Sequence, residues 1–144
     1  TERTAVTDPS LHHVGVTVSD LDRAADFYTD TFDLTVAAEF TVGGAAFAEA
    51  VDVAGASAAF THLEGNGTRV ELVEYDPQGA ALPARTLNRP GTAHLGLAVD
   101  DVDAFYAGLD DAVETLSPPR TTESGTTICF VCDPDGNRIE VLDA

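Results

Sequence analysis

The first clear pattern in the chain is an alternation of apolar and small or polar residues that begins at His13. Val14, Val16 and Val18 fall on one face of a strand, and the residues between them fall on the other. After Ser19, which suits the position before a helix, apolar residues recur every three or four positions. They are Leu21, Ala24, Ala25, Tyr28 and Phe32. The segment therefore predicts a strand with one buried face, followed by an amphipathic helix.

The same pattern returns in the second half of the chain, where His94 opens another alternating segment. Asp100 suits the position before a second helix, whose apolar stripe is Val102, Phe105, Tyr106 and Leu109. The ten residues from His13 align with the ten from His94, and five of the ten pairs are identical. Residues 69–73 align in the same way with residues 138–142. This self-similarity predicts two copies of one structural module.

Further strands complete each module. Alternating segments bounded by turn residues predict strands at about 34–42, 57–63, 68–75, 126–132 and 138–142, with a possible short strand after the loop at 117–119. Each module is therefore expected to be βαβββ, and the fold class α+β. We expect one domain over residues 1–144, with modules at about 11–76 and 92–144 and a connector at about 77–91.

Strand parity places two carboxylates on the same face as two histidines. Glu71 and Glu140 lie on the face opposite their apolar neighbours, and His13 and His94 share that face if the apolar faces pack under the helices. Two imidazoles and two carboxylates on one concave face are a suitable ligand set for one divalent metal ion. Zn, Ni, Co and Mn all accept such ligands, so the sequence does not identify the ion.

Three other residues near the candidate ligands are not assigned to the ligand set. His12 has the opposite parity to His13 and is expected to face the helix side. His62 lies in a middle strand, from which it could reach the concave face as a ligand or as a substrate contact. Glu74 falls on the strand face opposite Glu71 and is expected to be an ordinary surface acid.

Composition restricts the partners of the chain. Its 144 residues include 25 Asp and Glu and only 7 basic residues, all of them Arg, for a net charge of −18. A nucleic acid would be repelled by most of this surface. No apolar run approaches the roughly 20 residues that span a bilayer, and residues 1–10 lack the apolar core of a signal peptide. We expect a cytoplasmic protein that binds a small molecule.

The two cysteines are expected to be buried structural thiols. Cys129 and Cys132 lie in an apolar run, and residues three apart on a strand point to opposite faces. They can then neither form a disulfide with each other nor share one metal ion.

Four segments together resemble the vicinal oxygen chelate superfamily, which includes glyoxalase I, methylmalonyl-CoA epimerase, fosfomycin resistance proteins and extradiol dioxygenases. They are LHHVGVTVSDLDRAADFY, RVELVEY, AHLGLAVDDVD and DPDGNRIEV, in the order of the family. The resemblance implies a curled mixed sheet that forms an open cup, with the helices on its outer face. It also implies metal ligands at His13, Glu71, His94 and Glu140, from the first and last strands of each module.

The occupants of these positions resemble most closely the glyoxalase I-like and epimerase-like branches, which carry Glu or Gln where this chain has Glu71. This implies a lyase or isomerase of the glyoxalase type. Such an enzyme forms an enediolate from a small oxygenated substrate such as a hemithioacetal. Glu140 is then expected to be the catalytic base, with Glu71 as its counterpart, and the enzyme is expected to be a homodimer.

Several alternatives remain open from the sequence. They are an epimerase similar to methylmalonyl-CoA epimerase, an extradiol dioxygenase that uses His13, His94 and Glu140, and a non-catalytic small-molecule binding protein. Arginines in loop segments are candidates for binding an anionic part of the substrate. They are Arg85, Arg89 and Arg120.

The absence of Lys together with a large acidic excess resembles the cytoplasmic proteins of salt-loving archaea. We predict that the melting temperature rises between low and molar KCl, because salt shortens the Debye length to about 3 Å at 1 M and screens the self-repulsion of 25 acidic residues. Thermal melts over a KCl series test this expectation. A melting temperature that stays constant across the series contradicts it.

Overall fold

The computed structural model describes residues 8–83 and 86–143. The first module contains β1 (Val14–Thr17), α1 (Leu21–Phe32), β2 (Thr35–Val42), α2 (Ala45–Val51), β3 (Ser57–Gly65) and β4 (Thr68–Asp76). The second contains β5 (Leu95–Ala98), α3 (Val102–Ala107), β6 (Glu114–Thr115), β7 (Arg120–Thr121), β8 (Thr127–Cys132) and β9 (Arg138–Asp143). In the described part of the chain, no helix is long and apolar enough to cross a membrane.

The two modules form two mixed sheets with the same strand order. The first sheet runs β1-β4-β3-β2 and the second runs β5-β9-β8-β6, with β7 also paired to β8. In each sheet the first and last strands of the module are parallel, while the remaining pairs are antiparallel. The predicted α+β class is confirmed. The described strands form two separate sheets, and neither closes into a barrel.

The helix-side faces of both sheets contribute to a shared interior. One buried cluster combines Tyr28 of α1 and Leu72 of β4 with Ile139 of β9. Another combines buried residues of the second module with the rings of Phe27 and Phe32 from α1. The ring of Phe32 stacks on that of Phe105, with centroids 5.9 Å apart. The predicted apolar stripes of α1 and α3 therefore face the core, and α1 packs against both modules.

Both helices begin one residue later than the sequence predicted. Asp20 caps α1 by accepting a hydrogen bond from the Arg23 amide at 3.0 Å, and Asp101 caps α3 in the same way. Ser19 instead donates its amide to Asp135 in the turn between β8 and β9, at 3.0 Å. Asp20 and Asp101 therefore act as the helix caps that were expected at Ser19 and Asp100.

The expectation that Glu74 is an ordinary surface acid is wrong. Its Oε1 accepts a hydrogen bond from the amide of Leu21 at 2.8 Å, so Glu74 supports the first turn of α1 from the neighbouring strand. Asp143 occupies the equivalent position in β9 and accepts from the Val102 amide at 3.4 Å. The internal repeat therefore extends to an acid that holds each helix on its own sheet.

Helix α2 was not predicted from the sequence. It follows Gly44, which provides no capping side chain, and none of its residues is fully buried, so its seven residues lack a strong periodic pattern. Phe47 projects from α2 onto the face of the first sheet opposite α1, where its ring stacks near that of Tyr75 at 6.3 Å. Helix α2 therefore covers part of the face that carries Glu71.

Both cysteines are free and buried, as predicted. Burial raises the pKa of both thiols, although the nearby Arg138 guanidinium opposes the increase at Cys132.

The strand opposite β8 is interrupted between β6 and β7 at Ser117, Pro118 and Pro119, because proline cannot donate to a ladder.

A buried hydrogen bond joins the two modules. The hydroxyl of Tyr28, which is 0% exposed, donates to Oδ2 of Asp133 at 2.9 Å. The Asp133 carboxylate also accepts from the amides of Asp135 and Asn137 and from the Asn137 side chain. Burial, followed by the charge of Asp133, raises the pKa of Tyr28, so the phenol remains protonated and continues to donate.

We predict that Tyr28→Phe lowers the free energy of unfolding by about 1.5–3 kcal/mol, because it removes a donor from a buried carboxylate. Urea denaturation at fixed KCl measures the change. Tyr106→Phe is the matched control, since the half-buried Tyr106 hydroxyl has no hydrogen bond within the described residues; its effect should stay within about 0.5 kcal/mol. Equal losses in the two variants contradict the prediction.

Candidate metal and catalytic site

The first His–Glu pair lies at the junction of β1 and β4. His13 directly precedes β1, and Glu71 lies in β4 opposite Gly15, so no side chain at that position covers the carboxylate. His13 Nε2 and Glu71 Oε1 are 3.4 Å apart, and the two side chains are 35% and 16% exposed. Val16 of β1 and Val70 and Leu72 of β4 pack towards α1, which leaves this pair on the opposite face of the sheet.

The second pair repeats this arrangement in the other sheet. His94 directly precedes β5, and Glu140 lies in β9 opposite Gly96. His94 Nε2 and Glu140 Oε1 are also 3.4 Å apart, with side chains 40% and 22% exposed. The structure thus pairs each histidine with the glutamate of its own module.

The separation within each pair fits two ligands of one metal ion better than a hydrogen bond. An N–H···O bond has its heavy atoms about 2.7–3.2 Å apart. Two donor atoms that each lie about 2.1 Å from a tetrahedral ion are about 3.4 Å apart. The imidazole and carboxylate types also suit a borderline divalent ion. Each pair thus has the donor atoms and the spacing of half a ligand set.

The two pairs remain separate in the described part of the chain. No ion pair links His13 or Glu71 to His94 or Glu140. In residues 8–83 and 86–143, no group of three or more His, Cys, Asp or Glu side chains is placed to hold a metal ion. One chain therefore presents two separate His–Glu pairs, one on each sheet, and each pair is called a half-site of the candidate metal centre below.

His62 is a partner of Glu71. It lies in β3 directly opposite Glu71, and its Nε2 is 2.6 Å from Glu71 Oε2. The residue is only 8% exposed, and its ring contacts those of Phe40 and His13. The sequence placed His62 on the correct face but did not predict its bond to Glu71.

The corresponding position in the second sheet holds Phe130, which lies opposite Glu140. Its ring packs edge-on against His94, with centroids 5.2 Å apart. Glu140 therefore has an aromatic neighbour where Glu71 has a hydrogen-bonding histidine.

His12 does not face the helix side, contrary to the expectation from parity. It is exposed, and its Nδ1 lies 2.7 Å from Nδ1 of His13. The reason is that β1 begins at Val14, so strand parity does not extend back to residue 12.

Of the three candidate anion-binding arginines, the structure describes Arg89 and Arg120. Arg85 lies outside the described residues. Arg120 is exposed and donates to the Pro119 carbonyl at 2.9 Å, so nothing marks it as a substrate contact. Arg89 lines a cleft of about 830 Å³ between the modules, bordered by β1, the connector and the turn between β8 and β9, and His94 also lines it.

Comparisons with known proteins agree with this fold. Residues 10–141 match the Glyoxalase family, described as the Glyoxalase/Bleomycin resistance protein/Dioxygenase superfamily. A 2-epi-5-epi-valiolone epimerase from Actinomyces sp. is 30% identical over an alignment of 149 positions that covers 93% of this chain and 79% of that protein.

Solved structures show the same architecture. A glyoxalase family protein from Bacillus cereus superposes with a TM-score of 0.82 at 18% identity, covering 98% of both chains. The trypanothione-dependent glyoxalase I of Leishmania major gives a TM-score of 0.65 at 24% identity, covering 94% of this chain and 87% of that one. At these identities the likeness supports the fold alone.

Proposed function

The chain belongs to the Glyoxalase/Bleomycin resistance protein/Dioxygenase superfamily, and we propose that it is a divalent-metal-dependent lyase or isomerase of the glyoxalase type. The observation that carries this proposal is the His–Glu pair repeated at 3.4 Å in equivalent positions of both sheets. We propose His13, Glu71, His94 and Glu140 as the ligand set. Members of the superfamily that only bind small molecules have no need of such paired donors.

The complete site is proposed to form between two chains. Each pair is partly exposed and is not linked to the other within the described residues, so a second copy of the chain can supply the missing half. The first pair of one protomer would meet the second pair of its partner. A two-fold symmetric homodimer then contains two equivalent sites.

The residues of the site have distinct chemical tasks in this proposal. A bound divalent ion supplies Lewis-acid stabilisation of the negative charge that develops on the substrate's oxygen atoms. The imidazoles of His13 and His94 bind without adding charge. Glu140 removes the proton from the carbon beside the carbonyl group and returns it to the adjacent carbon, a role typically worth about 10²–10⁴-fold in rate.

The proposed substrate is a small molecule with neighbouring oxygens, such as a hemithioacetal of a 2-oxoaldehyde. The epimerase relative at 30% identity favours an epimerisation as the second candidate, since removal and return of a proton beside a carbonyl serves both reactions. A dioxygenase remains an outcome of the test, as does a non-catalytic binding protein.

The acidic surface supports a proposed location in the cytoplasm of a salt-loving archaeon. The acids of α1 show the pattern, because Asp22, Asp26 and Asp30 all lie on its exposed side. Carboxylates in such positions remain hydrated and are screened by concentrated salt.

We predict that the purified protein contains or binds a divalent metal ion and turns over a hemithioacetal or a 2-acyl thioester but not a catechol. Metal analysis and a panel of these three substrate classes test the prediction. Oxygen uptake with a catechol supports the dioxygenase instead. Binding of substrates without any turnover supports the non-catalytic protein.

We also predict that Glu140→Gln lowers kcat by about 10²–10⁴-fold, because the amide keeps the shape but cannot accept the proton. Metal affinity should fall far less than in His94→Ala, which removes a ligand completely. Glu39→Gln is the control for loss of one charge, since Glu39 is exposed on β2 and has no partner among the described residues. Equal behaviour of the Glu39 and Glu140 variants in turnover and metal titration overturns the role of Glu140.

The shared site gives a complementation test. We predict that a His13→Ala/Glu71→Gln protein and a His94→Ala/Glu140→Gln protein are each inactive alone. After mixing and subunit exchange they should regain about a quarter of the wild-type activity, because half of the dimers are then mixed and each contains one intact site of two. No recovery, with subunit exchange confirmed by mass spectrometry, contradicts a site shared between chains.

A further inference from the structure

Each half-site contains one histidine and one glutamate, but the residue opposite the glutamate on the neighbouring strand differs between the two sheets. His62 lies opposite Glu71 in the first sheet, whereas Phe130 lies opposite Glu140 in the second. We propose that His62 is a positioning residue that fixes the Glu71 carboxylate, so that Glu140 alone is free to move as the catalytic base. This inference rests on the proposed function, in which the two pairs form one site.

The contacts of Glu71 carry the first step. Its Oε2 is hydrogen-bonded to His62 Nε2 at 2.6 Å, while its Oε1 is 3.4 Å from His13 Nε2, beyond hydrogen-bond distance. Rotation of this carboxylate would break the short bond to His62 and leave a buried imidazole nitrogen without its partner. The glutamate is therefore suited to remain a fixed ligand.

Burial and ring contacts restrict the orientation of the His62 imidazole. The residue is 8% exposed. The ring of Phe40 packs edge-on against its imidazole at 5.0 Å between centroids, and the ring of His13 is stacked at 6.2 Å. Because aromatic neighbours restrict the imidazole, its Nε2 remains aimed at Glu71. A histidine held in this way orients a ligand without being one itself.

The contacts of Glu140 differ. Its Oε1 lies near His94, but within the described residues its Oε2 has no hydrogen-bond partner. The side chain across from it is the ring of Phe130, which cannot donate a hydrogen bond. The Glu140 carboxylate can therefore turn without losing a hydrogen bond, as a group that collects and returns a proton must.

This asymmetry specifies the reaction more closely. Glu140 breaks the substrate C–H bond by taking the proton, and the electron pair moves through the new carbon–carbon double bond onto the carbonyl oxygen. The same carboxylate then protonates the adjacent carbon, the hydroxyl proton of the first carbon passes to the former carbonyl oxygen, and the first carbon gains the carbonyl bond. The substrate isomerises, so no external oxidant or reductant is needed. A single mobile base favours this transfer between adjacent carbons over an inversion that needs a second base on the opposite face.

The experiment exchanges the two repeat-related side chains. His62→Phe gives Glu71 the surroundings of Glu140, and His62→Gln restores an N–H donor at the same position. Phe130→His gives Glu140 the donor that Glu71 has. Affinity for Co²⁺ is measured on the apo-protein by visible absorption, and turnover is measured with the hemithioacetal of methylglyoxal and a thiol.

We predict that His62→Phe weakens Co²⁺ binding about tenfold, whereas His62→Gln stays within about threefold of the wild type. We predict that Phe130→His keeps or improves Co²⁺ affinity while kcat falls at least about tenfold and KM changes less than about threefold. A merely structural role for residue 62 would not predict that a donor at this repeat position supports metal binding in the first sheet and lowers kcat in the second. If His62→Phe fails to fold, Phe130→His decides the question from the other module.

The outcomes separate this inference from the proposed function. A wild-type protein that binds no Co²⁺ overturns the proposed function, and the role of His62 falls with it. If the wild type binds Co²⁺ but leaves the hemithioacetal unchanged, the proposed reaction is wrong and the affinity comparison still decides the role of His62. If the wild type binds and turns over, unchanged affinity in His62→Phe or full kcat in Phe130→His overturns the positioning role alone.

Discussion

The parallel pairing of the first and last strands in each module is the constraint on which the candidate site depends. It sets Gly15 beside Glu71 and Gly96 beside Glu140, and thereby brings each carboxylate to the histidine that precedes the first strand. A slip of one residue would turn each glutamate towards the helix. The register is held because the alternate positions of β4 and β9 are buried under the helices, and because Glu74 and Asp143 bind the first amides of α1 and α3.

The packing between the modules explains why these half-sites are firmly built yet separate. Helix α1 contributes Tyr28 to the core shared with β9, and the same side chain donates to Asp133 in the second module. Together with the stacked rings of Phe32 and Phe105, these contacts join the modules through their helix-side faces. The glutamate-bearing faces do not take part in this junction, so they remain available to another chain in the proposed homodimer.

Much of this arrangement could be predicted from the sequence, because the repeat and the two-residue period of a strand identify the faces of Glu71 and Glu140. The pairing of His62 with Glu71 could also have been predicted from the sequence. The Asn66–Gly67 turn, with both residues at positive φ, sets the hairpin register that places these two residues opposite each other. Helix α2 was not predictable, because it lacks both a capping side chain and a buried stripe. The separation of the half-sites depends on packing between distant segments, on which local patterns carry no information.

The charge of the chain bears on the assembly of the proposed site. Each copy carries a net charge of −18, so two copies repel each other over most of their surfaces unless salt screens the interaction. The half-sites themselves carry one carboxylate each beside a histidine, and a divalent cation between two of them would neutralise both carboxylates. Metal and salt would therefore favour the dimer by different means, the ion at the junction and the salt over the whole surface. The repulsion between two acidic surfaces and the attraction of two carboxylates for one cation would then together determine whether the dimer forms.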